Sequence, residues 1–316
     1  MPKIPTNVRG ARFTGWGTAL GHKTVTNDDL TQTLDTNDQW IKERTGIERR
    51  HIGGSTAELS TISGQKALDM AGIDPLSIDA LVLATTTPDR AVPATSATVQ
   101  HALGLKCGAF DVNAACSGFV YGLVAAHGLV AMGAERVLVI GTDTLRTITD
   151  WNDRNTAVLF ADGSGAAVLE HTSGPGQLLG WDLDADGSAE EILFAERGGF
   201  IQMDGKEVFR RAVRIMVDSA QKSMAHAGVT ADQLSLIVPH QANIRIINAA
   251  CERLGVPMDR ASVVIHETGN TSSASIPLAL FGDLGQNKPK EGDLVLLVGF
   301  GAGMTAASAV LEWGAK

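Results

Sequence analysis

Two stretches of this chain repeat each other. Residues 71–83 (AGIDPLSIDALVL) and 227–239 (AGVTADQLSLIVP) match without a gap, 156 positions apart, and each runs from a helix end through a turn into an apolar strand. Val137-Leu138-Val139-Ile140-Gly141 recurs as Val295-Leu296-Leu297-Val298-Gly299, and Ala167-Val168-Leu169-Glu170 as Ala309-Val310-Leu311-Glu312. Near the starts of the two halves, Thr14-Gly15-Trp16 resembles Leu179-Gly180-Trp181. Four matches in the same order are the mark of duplication, so any fold for this chain has to be built from two copies of one unit.

Within each half, short β-branched runs alternate with longer helical patterns, which predicts mostly parallel sheets covered by helices. The pattern predicts helices over 58–71, 95–103, 117–132, 206–226, 243–254 and 272–285, and loops over 172–177 and 301–303. No long polar or Pro-rich stretch separates the halves, so the division into 1–172 and 173–316 is a seam rather than a linker. The expected fold class is α/β. It is one compact five-layer α-β-α-β-α body, in which two mixed, mostly parallel sheets pack around central helices.

Of the 316 residues, 44% are hydrophobic and 19% charged, an ordinary globular balance with a sizeable core. The 35 glycines suit close backbone packing. A net charge of −9 argues against general nucleic-acid binding and requires any acidic partner to meet a local basic patch. The three cysteines, Cys107, Cys116 and Cys251, give no disulfide framework, which suggests a reducing, cytoplasmic setting. Met1-Pro2-Lys3-Ile4-Pro5 has no apolar core of signal-peptide length, and no run of about 18 apolar residues predicts a membrane span.

Cys116 lies in Ala114-Ala115-Cys116-Ser117-Gly118-Phe119, after a strand-like run and at the start of a helical pattern. A thiol there feels the positive end of the helix macrodipole and unpaired N–H groups, which favour the nucleophilic thiolate. His240, in Val238-Pro239-His240-Gln241-Ala242-Asn243, and Asn270, in Gly269-Asn270-Thr271-Ser272-Ser273, also follow strand ends, where α/β sheets gather ligands. Cysteine, histidine and asparagine in such settings are candidates for covalent catalysis. Cys107 and Cys251 lack the setting and read as structural.

At this point the sequence resembles the thiolase superfamily, and within it the β-ketoacyl-acyl carrier protein synthase III family. The resemblance spans essentially the whole chain. It is carried by DTNDQWIKERTGI at 35–47, DVNAACSGF at 111–119, FADGSGAAVL at 160–169, PHQANIRII at 239–247 and GNTSSAS at 269–275. It implies an acyl group carried on Cys116, with His240 and Asn270 as partners and no metal or cofactor. It implies Trp40 and Arg154 flanking the adenine of coenzyme A, Arg44 near its phosphates and Asn243 at its pantetheine end. The backbone N–H groups of Cys116 and Ala302 would form an oxyanion hole. Ala302, in Phe300-Gly301-Ala302-Gly303-Met304, stands where the family has glycine, so it can serve only if its φ is not positive. The 188–203 loop is shorter than usual, and Thr268 and Glu252 also depart from the pattern.

The resemblance further implies a homodimer in which Val92 lines the neighbouring subunit's acyl pocket. The partners it implies are acyl-CoA and malonyl-acyl carrier protein. For the acidic carrier, Lys206, Arg210 and Arg214 fall along one helix face with Arg211 beside them, and Arg245 follows His240 closely. The implied reaction is a decarboxylating Claisen condensation giving a 3-oxoacyl-carrier product. Three alternatives share parts of this pattern. A thiolase would need a second reactive cysteine in the Gly301-Ala302-Gly303 region. A type III polyketide synthase normally carries Pro-Gly-Gly after its histidine, not Gln241-Ala242-Asn243. A non-catalytic carrier-protein scaffold would have no use for the Cys116, His240 and Asn270 set.

Overall fold

The computed structural model describes residues 8–282 and 288–314. The segment 1–5 and the last part of the expected helix 272–285 therefore lie wholly or partly outside the described residues. In chain order the main elements are β1 (Gly10–Leu20), α1 (Asp38–Thr45), α2 (Thr56–Ala71), β2 (Ala80–Ala84), α3 (Thr95–Ala102), β3 (Gly108–Val112) and α4 (Gly118–Ala131). They continue with β4 (Arg136–Thr144), β5 (Asp162–Thr172), β6 (Leu178–Asp184), α5 (Gly205–Ala227), β7 (Leu236–Pro239), α6 (Ile244–Leu254), α7 (Ser275–Phe281), β8 (Leu294–Gly301) and β9 (Thr305–Glu312).

The first sheet runs β1-β5-β4-β2-β3 and the second β7-β8-β9-β6. In the first, β2 pairs parallel with β3 and β4, while β5 pairs antiparallel with β1 and β4. The second repeats this with β7 parallel to β8, and β9 antiparallel to β8 and β6. Where the first sheet has its fifth strand, the second keeps only an isolated parallel bridge between Ile237 and Ala261. Both sheets are mixed as expected, but not mostly parallel: parallel pairing is confined to β2–β3, β2–β4 and β7–β8, the strands joined through helices, and the remaining pairs are antiparallel.

Alternation along the strands generates the layers. Val137 and Val139 of β4 face inward, with Phe119, Leu123, Ile276 and Leu280 of the central helices. Leu138 and Ile140 face outward, under Ala67 and Leu68 of α2 and Val99 of α3. In the second sheet Leu297 faces the centre, and Leu296 and Val298 face α5 and α6. The central strands β2, β4, β5, β8 and β9 are thus buried on both faces, and each large apolar side chain they bury contributes about 2 kcal/mol.

The repeated Gly-Trp pairs have a packing reason. A Cβ on Gly15 would lie 2.3 Å from the Ala67 carbonyl oxygen of α2, and one on Gly180 would lie 2.3 Å from that of Ser223 in α5. Both glycines let a helix backbone touch its sheet. Helix ends follow the sequence closely: α2 opens on a Ser55–Glu58 capping box, and α5 closes on Gly228 with φ 70°. No helix among the described residues is long and apolar enough to cross a membrane.

Candidate active site

β3 ends at Val112, and the chain turns through a 3-10 turn, Ala115–Ser117, into α4. Cys116 is the middle residue of that turn. The turn is tight enough to force Ala115 to φ 48°, a strained value for a residue with a Cβ. It is tied down on both sides. Asn113 Oδ1 accepts the Ala115 N–H at 3.3 Å, and Thr305 Oγ1 donates to the Ala114 carbonyl at 3.0 Å. A Cβ on Gly301 would fall 2.6 Å from the Cys116 nitrogen, so only glycine lets the end of β8 lie against it.

His240 follows β7 and is buried. Its ring meets Phe300 edge-on at 5.4 Å. Its Nδ1 lies 2.6 Å from Ser275 Oγ, which also accepts the Gln241 N–H at 3.3 Å. The contact fixes the position of the ring; with the Ser275 hydroxyl as donor to Nδ1, the imidazole hydrogen lies on Nε2. Asn270 is clipped into place by its backbone: its N–H donates to the Leu159 carbonyl and its own carbonyl accepts from Ala161, both at 2.9 Å. Its Oδ1 accepts the Ser272 N–H at 2.9 Å, leaving the amide NH₂ as a donor.

Cys116, His240 and Asn270 line one cavity of about 1040 Å³, together with Ala302 and Thr305. The sequence expectation that Cys116 favours thiolate does not hold in this chain. Burial pushes its thiol up to about 12; a hydrogen bond with Ser272 works against the rise, and the Asp143 charge adds to it. Burial likewise pushes His240 down to about 3. Both shifts favour the neutral forms, a thiol and an uncharged imidazole. Desolvation opposes the helix terminus here, and it depends on tertiary packing that no local motif encodes.

Ala302 keeps a φ that is not positive; Gly303 at 69° and Met304 at 42° take the left-handed positions instead. The expected loop at 301–303 is the end of β8 followed by a 3-10 turn, Ala302–Met304.

Trp40 and Arg44, at the cavity's outer end, come from α1 and its last turn. The Arg44 and Arg154 guanidiniums lie 5.6 and 5.0 Å from the Trp40 ring centre, and Arg154 also donates to the Asp35 carbonyl at 2.7 Å. Asn243 lines the cavity but is also committed to the protein: its Oδ1 caps α6 through the Arg245 N–H, and its Nδ2 donates to the Arg44 carbonyl, both at 2.8 Å. Arg245 lies over Phe209 at 5.6 Å, and with Lys206 it reaches the cavity.

Arg210, Arg211 and Arg214 of α5 lie outside the cavity lining. Glu207 holds Arg210 at 2.7 Å, and Arg211 is shared between Glu207 at 3.5 Å and Asp186 at 3.7 Å, so the expected basic face is partly neutralised. Val92 is 83% exposed and does not reach the cavity of its own chain.

Sequence reading missed Ser275, although it ends the GNTSSAS motif, because its role depends on meeting a residue 35 positions away. It also missed the small hairpin of Leu193–Phe194 and Gln202–Met203, which walls the cavity from the 188–203 loop. Among the described residues no cluster of His, Cys, Asp or Glu is arranged to hold a metal.

Residues 110–187 match the family model 3-oxoacyl-[acyl-carrier-protein (ACP)] synthase III, and residues 224–313 match the model of its C-terminal part. The chain is 45% identical to the beta-ketoacyl-[acyl-carrier-protein] synthase III of Roseiflexus castenholzii, over 96% of this chain and 98% of that one. The crystal structure of 3-oxoacyl-[acyl-carrier-protein] synthase III from Aquifex aeolicus is similar with a TM-score of 0.93 at 41% identity, over 96% of this chain and all of the other (100%). The priming beta-ketosynthase from the R1128 polyketide biosynthetic pathway is similar with a TM-score of 0.90 at 34% identity, over 98% of each chain. The thiolase-like architecture, both family models and near-complete coverage agree: this chain belongs to the β-ketoacyl-acyl carrier protein synthase III family and is a condensing enzyme of the acyltransferase type.

Proposed function

We propose that this enzyme condenses an acyl-CoA primer with malonyl-acyl carrier protein, through an acyl group on Cys116, to give a 3-oxoacyl-carrier product that starts fatty acid synthesis. The observation that carries this reading is the convergence of Cys116, His240 and Asn270 on one cavity, with the Asn270 amide NH₂ left as a donor.

In the first half-reaction the Cys116 sulfur attacks the primer's thioester carbon. The carbonyl oxygen takes up negative charge between the Cys116 and Ala302 N–H groups. The carbon–sulfur bond to coenzyme A breaks, and the Cys116 proton leaves with its thiolate. In the second half-reaction His240 Nε2–H and the Asn270 amide donate to the malonyl thioester carbonyl. The carboxylate leaves as carbon dioxide, its bonding electrons form the enolate, and the two donors hold the new charge. The enolate carbon then attacks the acyl-enzyme carbonyl, and Cys116 departs as a thiolate that takes a proton from solvent to restore the thiol. Neutral donors suit this step, since an acidic group would repel the enolate. No cofactor takes part.

Trp40, Arg154, Arg44 and Asn243 are assigned to coenzyme A, in keeping with the place of Trp40, Arg44 and Asn243 in the cavity lining and of Arg154, outside that lining, against the Trp40 ring. Arg245, with Arg210, Arg211 and Arg214, is assigned to the carrier protein. A homodimer fits the open edge of β3, where Phe110 is 40% exposed, and Val92, 83% exposed in the loop before α3, is assigned to the partner's acyl pocket. The division into halves at residue 172 fits the drawing of one sheet from strands up to Thr172 and the other from Leu178 onward. Three free cysteines fit a cytoplasmic setting. Priming of a specialised pathway is a second reading, favoured by the similarity to a priming ketosynthase. A panel of acyl-CoAs with malonyl-acyl carrier protein tests the function: carbon dioxide and 3-oxoacyl-carrier form in equal amounts, and a panel that yields neither overturns it. The preferred primer separates the two pathways.

A further inference from the structure

The duplicated fold carries a second copy of the turn that holds Cys116. Ser272–Ala274 forms a 3-10 turn leading into α7, as Ala115–Ser117 leads into α4. Ser272 has φ 51°, beside 48° at Ala115. Asn270 Oδ1 accepts the N–H two residues on, as does Asn113 Oδ1. The glycines complete the match: a Cβ on Gly141 would lie 2.6 Å from the Ser273 carbonyl oxygen, and one on the repeated Gly299 would lie 3.6 Å from that of Cys116. Ser273 therefore stands where Cys116 stands.

Two residues beyond these glycines the copies part. Gly301 leaves the Cys116 N–H uncovered by any side chain, whereas its counterpart is Asp143. The Asp143 carboxylate is fully buried. Its Oδ2 accepts the Ser273 N–H at 3.0 Å and is 2.7 Å from the Ser273 hydroxyl. Its Oδ1 lies within 3.1 Å of the hydroxyls of Thr85, Thr86 and Thr87 and 2.7 Å from the Thr86 N–H. No cation pairs with it among the described residues. An anion thus fills, in the second turn, the place that a reacting oxyanion would take in the first.

We propose that Asp143 is a positioning residue for Asn270: its carboxylate saturates the second turn and so holds the strained Ser272 and, through it, the Asn270 side chain against the cavity. The proposal rests on Asn270 being a donor in the malonyl half-reaction. A left-handed residue with a Cβ persists only where its surroundings over-determine it, and Asp143 supplies that constraint from beneath. An asparagine in its place presents one donor group to a ring of donors, and the turn relaxes.

The test is Asp143→Asn in the full chain, with the two half-reactions measured separately. A small displacement of a catalytic group is costly, so kcat for carbon dioxide release from a malonyl thioester falls about tenfold or more while KM stays within about threefold. Transfer of the primer acyl group to Cys116 falls much less. Equal losses in both half-reactions, or none in decarboxylation, overturn the proposal. Should that variant not fold, Ser273→Ala removes the hydroxyl contact but keeps the N–H; the same selective loss is expected at about threefold, and an unchanged decarboxylation rate overturns the proposal. An Asn270→Ala enzyme that decarboxylates normally would instead remove the underlying reading of Asn270.

Discussion

The two ends of the cavity use opposite physics. At the inner end His240 and Asn270 are buried and Cys116 is half-buried, and desolvation favours the neutral forms of Cys116 and His240. Their geometry comes from backbone bridges, a strained turn and the Ser275 contact. At the outer end Trp40, Arg44 and Arg245 line the cavity and Arg154 packs on Trp40; all are charged or amphipathic and held by cation–π contacts. Preorganised dipoles in a dry site gain strength from low dielectric, whereas exposed charges are screened and act mainly on encounter. The inner end should therefore govern kcat and the outer end KM.

The strongest attempt to break that contrast is truncation at the inner end. His240→Ala and Asn270→Ala should each lower the condensation rate about 100- to 1000-fold while still forming the acyl-enzyme, because each removes one oxyanion donor. Single-turnover acylation beside steady-state condensation checks this, and a near wild-type condensation rate in either variant contradicts the division of labour.

A second prediction concerns pH. A cysteine whose pKa is raised loses its proton only in alkali, and a histidine whose pKa is lowered stays neutral until strong acid. With Cys116 near 12 and His240 near 3, alkylation of Cys116 in the free enzyme should climb steadily from about pH 7 to about pH 10 without a plateau. A plateau near neutrality would mean a thiolate–imidazolium pair.

Smaller effects belong to the outer end. Trp40→Ala and Arg154→Ala should raise KM for acyl-CoA about tenfold with kcat little changed, since they remove binding made equally in the ground and transition states. Arg245→Glu should raise KM for malonyl-acyl carrier protein a few-fold and flatten its salt dependence, leaving acylation by acyl-CoA alone. A matching fall in kcat for these variants would erase the distinction between the two ends.

The same contrast explains what could be read from the sequence. The layers were legible because the repeat and the apolar runs are local patterns, and the Gly-Trp pairs mark the closest helix–sheet contacts in both halves. Cys116, His240 and Asn270 were legible because each sits in a short motif at a strand end. The raised Cys116 pKa was not, since desolvation belongs to the tertiary packing around the cavity rather than to the turn. Ser275 and Asp143 were hidden for a related reason: each acts on a partner more than 30 positions away. Asp143 could have been found by carrying the Gly141–Gly299 match two residues further. The basic face of α5 read as free charge because helix spacing does not show that Glu207 and Asp186 occupy Arg210 and Arg211.

The central claim is that Cys116, alone of the three cysteines, carries the acyl group, and peptide mapping of the enzyme after incubation with acetyl-CoA tests it most directly. The account predicts a single acyl adduct on the peptide containing Cys116, absent from Cys116→Ala. An adduct on Cys107 or Cys251 that survives in Cys116→Ala would contradict it.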